Sequence, residues 1–231
     1  MRFLRKYLLL LLACLLPLAA PAQTGGDAGA AGNLSHLGVR AFAQDSLGNM
    51  WIATLAGLDR YNGYEYEHFV HVPGDENPIR NDFVFSLLAD GDLIWIGTAY
   101  GVDRYNVRSG RISRTSGAQP PAYQIYKDRS GRIRIASVYG LGTLDKERDT
   151  VNYNTSFGAV NQVWEDSYNR LWLATDYGLA MEDGTLFALK DNRKARCCYE
   201  DAQGQWWIGT DSGVILFDPR TGNSLYPDGP F

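Results

Sequence analysis

The chain has 231 residues, of which 45% are apolar, 13% aromatic and 21% charged, a balance that builds a core and excludes a disordered chain. Its formal net charge is −4, which argues against nucleic acid as a partner because phosphate binding needs a basic surface. The counts of 25 Gly, 14 Tyr and 6 Trp favour turns and strands over helices.

In chain order the first element is a leader. Met1–Lys6 is basic, Tyr7–Leu16 is an apolar run, and Ala20-Pro21-Ala22 supplies small residues. This three-part pattern predicts a secretory signal over residues 1–22, cleaved after Ala22. Its apolar run is only about half of the ~20 residues that a membrane helix needs. Cleavage removes Arg2, Arg5 and Lys6 and no acid, so the exported body is more acidic than the whole chain. Residues 23–36 open with QTGGDAGAAG and read as a flexible Gly/Ala linker. Loss of Cys14 with the leader leaves Cys197 and Cys198. Adjacent cysteines bridge poorly, and with no CxxC spacing they predict one core-facing thiol, one partly exposed thiol and no metal site.

From Val39 onward one template recurs five times: an apolar strand ending in Asp, a turn, a strand containing Trp, then a Gly turn into a third strand. The first copy reads VRAFAQDSLGNMWIATLAGLDRYNG, and further copies start at Val84, Ala122, Val160 and Ala195. The equivalent positions Trp51, Trp95, Arg134, Trp172 and Trp207 are 44, 39, 38 and 35 residues apart. A period near 40 built from short strands predicts an all-β fold, a β-propeller of four-stranded antiparallel blades. The predicted strands of the first blade are Val39–Gln44, Met50–Thr54, Leu58–Tyr61 and Tyr64–Phe69. Runs such as Leu93–Gly97 are apolar on both faces, as expected where blades stack against each other. Asp45, Asp128, Asp166 and Asp201 fall at the first turn, where a short carboxylate bonds nearby backbone N–H groups. Gly48, Gly131 and Gly204, with Asn169 in the fourth copy, follow where a tight turn needs a left-handed backbone. The blades are expected over about 37–80, 81–119, 120–157, 158–192 and 193–231.

The Asp-x-x-Gly-x-x-Trp-Ile-Gly-Thr-x-x-Gly-Leu pattern at Asp45–Leu58, Asp90–Val102 and Asp201–Val214 resembles the two-component regulator propeller repeat. The second copy lacks one residue between its Asp and Trp, and the third replaces Trp with Arg134 and Thr with Ser137. The resemblance covers essentially all of the chain beyond residue 33. It implies a periplasmic sensor region of a membrane-bound hybrid histidine kinase, with further blades and membrane-linked signalling domains in a parent chain and a homodimer in the full receptor. Nothing in the 231 residues resembles a kinase segment, so if the parent chain is a kinase, its catalytic part is expected elsewhere. Five blades in series, within the about four to eight that propellers use, are expected to form an open arc, an N-terminal piece of a longer protein.

Enzyme motifs are missing: there is no Gly-x-Ser-x-Gly elbow, no His-Glu-x-x-His and no phosphate-binding Gly loop. No cofactor and no metal are expected, and the chain is read as non-catalytic. Candidate binding residues come instead from two slots at one mouth of a propeller. The first lies at the start of each inner strand: Arg40, Phe85, Tyr123, Asn161 and Arg196. The second lies in the loop between strands two and three: Ala56, Tyr100, Tyr139, Tyr177 and Ser212, with Asp176 and Asp211 beside it. Tyrosine faces stack on sugar rings while their hydroxyls and nearby carboxylates or amides take hydrogen bonds. Arg40 and Arg196 suit a uronate, a sulfate or another anion, and would be neighbours if the ring closed after five blades. The favoured reading is a periplasmic ligand-sensing propeller for an oligosaccharide or other small polar or anionic ligand. The alternatives are a passive interaction or adhesion scaffold and an exported polysaccharide-acting enzyme. The enzyme is disfavoured because the first slot holds no carboxylate for glycosidic chemistry.

Overall fold

The computed structural model describes residues 33–74 and 78–225. The predicted leader, most of the Gly/Ala linker and the last six residues lie outside the described residues. Twenty strands form five four-stranded antiparallel sheets, each a simple meander in chain order. The first sheet holds β1 (Val39–Gln44), β2 (Met50–Thr54), β3 (Gly57–Tyr61) and β4 (Tyr66–Phe69). The first two match the sequence reading residue for residue. β3 starts one residue earlier, because Thr54 and Gly57 pair across the hairpin, and β4 starts two later. The second blade runs β5 (Val84–Asp90), β6 (Leu93–Thr98), β7 (Gly101–Asn106), β8 (Arg111–Arg114), and the third β9 (Ala122–Lys127), β10 (Ile133–Ser137), β11 (Gly140–Asp145), β12 (Thr150–Asn154). The fourth runs β13 (Val160–Glu165), β14 (Leu171–Thr175), β15 (Gly178–Met181), β16 (Leu186–Phe187), and the fifth β17 (Ala195–Glu200), β18 (Trp206–Thr210), β19 (Gly213–Asp218), β20 (Asn223–Leu225).

The inner strands β1, β5, β9, β13 and β17 follow one another around an axis, and the sheets do not close into a ring. Arg40 and Arg196 therefore sit at opposite ends of an open arc rather than side by side. Each seam between blades has its own apolar core. Trp51 and Leu58 of the first blade meet Ile94, Ile96 and Tyr105 of the second. Trp95 and Val102 meet Ile125, Ile133 and Ile135. Leu141 and Phe157 meet Val163, Leu171 and Leu173. Trp172 and Leu179 meet Trp206, Ile208, Ile215 and Phe217. Such burial is the dominant favourable contribution, roughly 1.5–3 kcal/mol for each fully buried large apolar side chain.

The turn acid explains why the template carries Asp and Trp six residues apart. Asp45 accepts the N–H groups of Leu47 and Asn49 and, at 2.9 Å, the indole N–H of Trp51. Asp166 does the same for Tyr168, Arg170 and Trp172, and Asp201 for Gln203, Gln205 and Trp207. One carboxylate thus closes the turn and satisfies the polar atom of a large, mostly buried ring. The third blade keeps this arrangement with a different donor. Arg134 is 3% exposed, and its Nε donates to Asp128 at 3.0 Å while its other nitrogens reach Thr143 and Glu182. The second blade, one residue shorter, loses the contact: Asp90 pairs with Lys127 and Lys146, and the indole N–H of Trp95 is buried without a partner.

A second device repeats at the opposite end. Thr54, Thr98, Ser137, Thr175 and Thr210 each donate a hydroxyl to the carbonyl three residues on and accept the N–H two residues on. This hydroxyl staple fixes the loop between the second and third strands. At Gly140, with φ of 120°, a Cβ would lie 2.1 Å from the carbonyl oxygen of Asn154, so glycine is required there by both backbone and space.

Candidate functional site

The start of every inner strand carries the same irregularity. The register between first and second strands slips between Val39 and Ala41, Val84 and Ser86, Val160 and Gln162, and Ala195 and Cys197, and opposite Tyr123 in the third blade. In each case one residue is left out of the ladder, a β-bulge, which bends the strand and re-aims a side chain. The five bulged residues are Arg40, Phe85, Tyr123, Asn161 and Arg196. These are the five positions of the first slot.

Bulged residues of neighbouring blades touch along the rim. The Arg40 guanidinium lies 5.8 Å from the centre of the Phe85 ring, a cation–π contact. Phe85 and Tyr123 meet edge to face at 5.8 Å. Arg196 donates to Asn161 Oδ1 at 3.1 Å, and Asn161 donates to the carbonyl of Ala195 at 2.8 Å. One end of the rim is cationic and aromatic, and the other is a polar cluster around Asp176. Asp176 accepts from Asn161 at 3.1 Å, Lys194 at 2.8 Å and Arg196 at 3.3 Å. Burial pushes its carboxyl up, and the bonds from Lys194 and Asn161 outweigh this and hold it below the usual carboxylate range. With Asp211 beside it, two cations and two carboxylates meet in this cluster, whereas the Arg40 end is cationic. Asp211 accepts the N–H of Lys194 at 3.2 Å and sits beside Ser212.

The second slot is in loops at the same end as the bulges. Tyr100, Tyr139 and Tyr177 are exposed. The Tyr100 carbonyl accepts from Arg80. Tyr139 meets Tyr153 of β12 edge to face at 6.2 Å, and the Tyr177 ring lies against Gly158.

Sequence reasoning missed what ties one inner strand to the next. Ser86 donates to the carbonyl of Ala122 at 3.1 Å, Gln124 Oε1 accepts the N–H of Val163 at 2.6 Å, and Gln162 Oε1 accepts the N–H of Cys198. All three follow the bulge by one residue. Lys194, one residue ahead of β17, was missed as well. The shared offset of Ser86, Gln124 and Gln162 from the strand start, with Gln at two of the three places, was available as a signal.

The remaining titratable groups are engaged structurally. Asp59 is buried and accepts from the backbone N–H and hydroxyl of Ser35, and His68 Nδ1 lies 2.7 Å from Asp59 and 3.0 Å from Ser35 Oγ. A hydrolytic triad needs the acid and the nucleophile on different ring nitrogens. Here one nitrogen faces both, and the cluster instead fastens residue 35 to the first blade. Cys197 is exposed and Cys198 half-buried against the last core, where burial raises its thiol pKa. Among the described residues no group of three His, Cys, Asp or Glu could hold a metal, and no helix is long and apolar enough to cross a membrane.

Meander blades of four strands around an axis, joined along their inner strands and bulged at one rim, define a β-propeller architecture. Residues 33–56, which hold β1 and β2, match the family model described as Two component regulator propeller. Solved structures share the fold. The extracellular domain of the hybrid two component system BT3049 from B. thetaiotaomicron superposes with a TM-score of 0.69 at 22% identity, covering 83% of this chain and 30% of that one. The extracellular domain of BT4673 from the same organism gives 0.55 at 19%, covering 81% and 33%. Virginiamycin B lyase from Staphylococcus aureus, solved with quinupristin, gives 0.63 at 14%, covering 87% and 74%. The chain spans about a third of the two extracellular domains. No curated protein matches it in sequence.

Proposed function

We propose that the chain is the ligand-binding part of a periplasmic sensor in a two-component-type receptor, and that the rim of bulged residues is its binding surface for a glycan-derived ligand. The observation that carries this reading is the bulge itself. Five blades spend an unpaired residue at the same place, and the residues so presented differ in chemistry while the ladder around them does not. Phe85 and Tyr123 offer apolar faces for a sugar ring, and Arg40, Lys194 and Arg196 offer charge-assisted hydrogen bonds to a uronate or sulfate. The likeness to extracellular domains of two-component systems supports an exported, non-catalytic role. In that role a ligand acts only through its differential affinity for two receptor arrangements, and further blades and membrane-linked signalling domains carry the bias inward.

The likeness to virginiamycin B lyase raises an enzyme as the competing reading. A catalytically inactive form of that lyase carries alanine in place of a histidine. Here the three histidines, His36, His68 and His71, lie outside the row of bulged residues. His71 is bonded to Ile79 and Asp82 of the link into the second blade.

The test is a panel of neutral, uronate-containing and sulfated oligosaccharides, screened by glycan array and quantified by calorimetry. Phe85→Ala and Tyr123→Ala should each weaken binding by about tenfold with little change in Tm. Silence across the panel, or a large fall in Tm with unchanged affinity, overturns the rim reading. Turnover of a bound sugar overturns the non-catalytic one.

A further inference from the structure

Three departures from the blade template meet on the seam between the third and fourth blades. Arg134 stands where the other blades carry Trp. β16 has only two residues, against four in β4 and β8. The link between β12 and β13 folds into a single 3-10 turn, Thr155–Phe157, with Asn154 Oδ1 accepting the N–H of Ser156 at 3.1 Å. That turn ends at Gly158 with φ 63° and ψ −151°, a combination essentially confined to glycine and found at strained functional sites. A Cβ at this position would lie 2.6 Å from the Tyr177 ring. Glycine is therefore what lets that ring seat against the turn.

Beside these departures lies a groove of about 330 Å³, lined by Asn154, Phe157, Tyr177, Glu182 and Asp183 among others. Tyr177 is 64% exposed and presents a flat face, with the buried Phe157 near it. Asn154, Glu182 and Asp183 bring an amide and two carboxylates to the same opening. Beneath them the buried Arg134 guanidinium donates to Glu182 Oε1 at 2.7 Å, which fixes that carboxylate and compensates its charge. A second hollow, which shares Asn154 and Glu182, continues down to Arg134 itself.

We propose that this lateral groove is a second binding site, one that takes a neutral pyranose unit of a saccharide. An aromatic face matches the apolar face of a pyranose ring, and fixed carboxylate and amide groups match its hydroxyls. Asp183 opposes a uronate or a sulfate, because like charges brought together are disfavoured. The groove thus has the opposite charge preference to the rim of Arg40, Lys194 and Arg196, and it stands independently of that rim.

The experiment is two-dimensional NMR titration of the full chain with cellobiose, lactose and maltose, and with glucuronate and glucosamine as charged comparators. A neutral disaccharide should shift the amides of residues 154–158 and 177–184 in a saturable way. Tyr177→Ala should raise the Kd by about tenfold at unchanged Tm, Glu182→Gln should raise it as much with a fall in Tm from the lost Arg134 pair, and Phe85→Ala on the rim should leave it as it is. Three results overturn the proposal: no saturable shift at millimolar disaccharide, shifts confined to the rim, or affinity indifferent to both groove variants. Tighter binding of glucosamine than of any neutral sugar, abolished by Glu182→Gln, would make this a cation site and overturn the assignment to neutral saccharides.

Discussion

Replacing Asp128 with asparagine tests how the third blade is held together. Asp128 is buried and accepts from Ser130 Oγ at 2.5 Å, the Arg132 N–H at 2.9 Å and Arg134 Nε at 3.0 Å. Burial pushes its carboxyl up, but these donors, Ser130 and Arg134 foremost, outweigh burial and bring the pKa down from 3.8 to about 2. At about 1.4 kcal/mol per unit, the charged form is favoured by roughly 2.5 kcal/mol relative to the unfolded chain. A depressed carboxylate stabilises the fold above its unfolded pKa, and that contribution is lost as the pH falls through its folded pKa. The effect is therefore full above about pH 4–5 and gone below about pH 2. Removing one partner of a buried ion pair costs about 3–5 kcal/mol. Arg134 retains Glu182, so the lower part of that range applies. Asp128→Asn is expected to lose about 2.5–4 kcal/mol at pH 7, a fall in Tm of roughly 5–15 °C for a domain of this size. Thermal and urea melts of both proteins, stepped from pH 7 to pH 2, read this directly. The gap between them should narrow as the pH drops through the carboxylate range. A loss below about 1 kcal/mol at pH 7, or a gap that stays constant to the lowest pH, refutes the claim that this carboxylate secures the blade.

Other outcomes follow from single contacts. Gly140→Ala places a Cβ against the Asn154 carbonyl in a left-handed backbone and should cost more than about 2 kcal/mol, whereas Gly131→Ala, with open space around it, should cost only about 1 kcal/mol; chemical denaturation of the two variants compares them. Gln162→Ala removes the acceptor of the Cys198 N–H and should lower stability by about 1–2 kcal/mol, measured the same way. Peptide-level mapping after brief maleimide treatment should find Cys197 modified and Cys198 largely unmodified, because burial raises the Cys198 thiol pKa and hides it. Equal labelling of the pair would show that the last inner strand does not hold its register.

Much of the fold was legible because the template repeats the residues that make its turns. Asp45, Gly48 and Trp51 recur at fixed offsets since one carboxylate must close a turn and bond an indole at once. The edges of β1 and β2 followed from that spacing. The rim slots were legible for the opposite reason, as places where near-identical repeats stop agreeing. Why they stop agreeing was not legible: a bulge is a relation between two strands, and no single strand's sequence announces it. Arg134 reads as a defect in a Trp series until its Nε is found on Asp128, because a guanidinium and an indole share a donor without sharing a shape. Gln124 and Gln162 bridge inner strands in the same way, but Ser86 does so as a donor and Ala41 stands at the equivalent place in the first blade, so no motif runs through the five copies. The turn at Thr155–Phe157 is a local event in one link, and a repeat search averages such events away.

The bulged row separates two kinds of selection pressure. A residue outside the ladder contributes no pairing, so exchanging Phe85 for Tyr leaves the strand partners and the apolar seams as they were. Side chains on this row can then change without a compensating change in the core. A rim built this way is a keyboard whose keys can be relabelled while the frame beneath them stays the same.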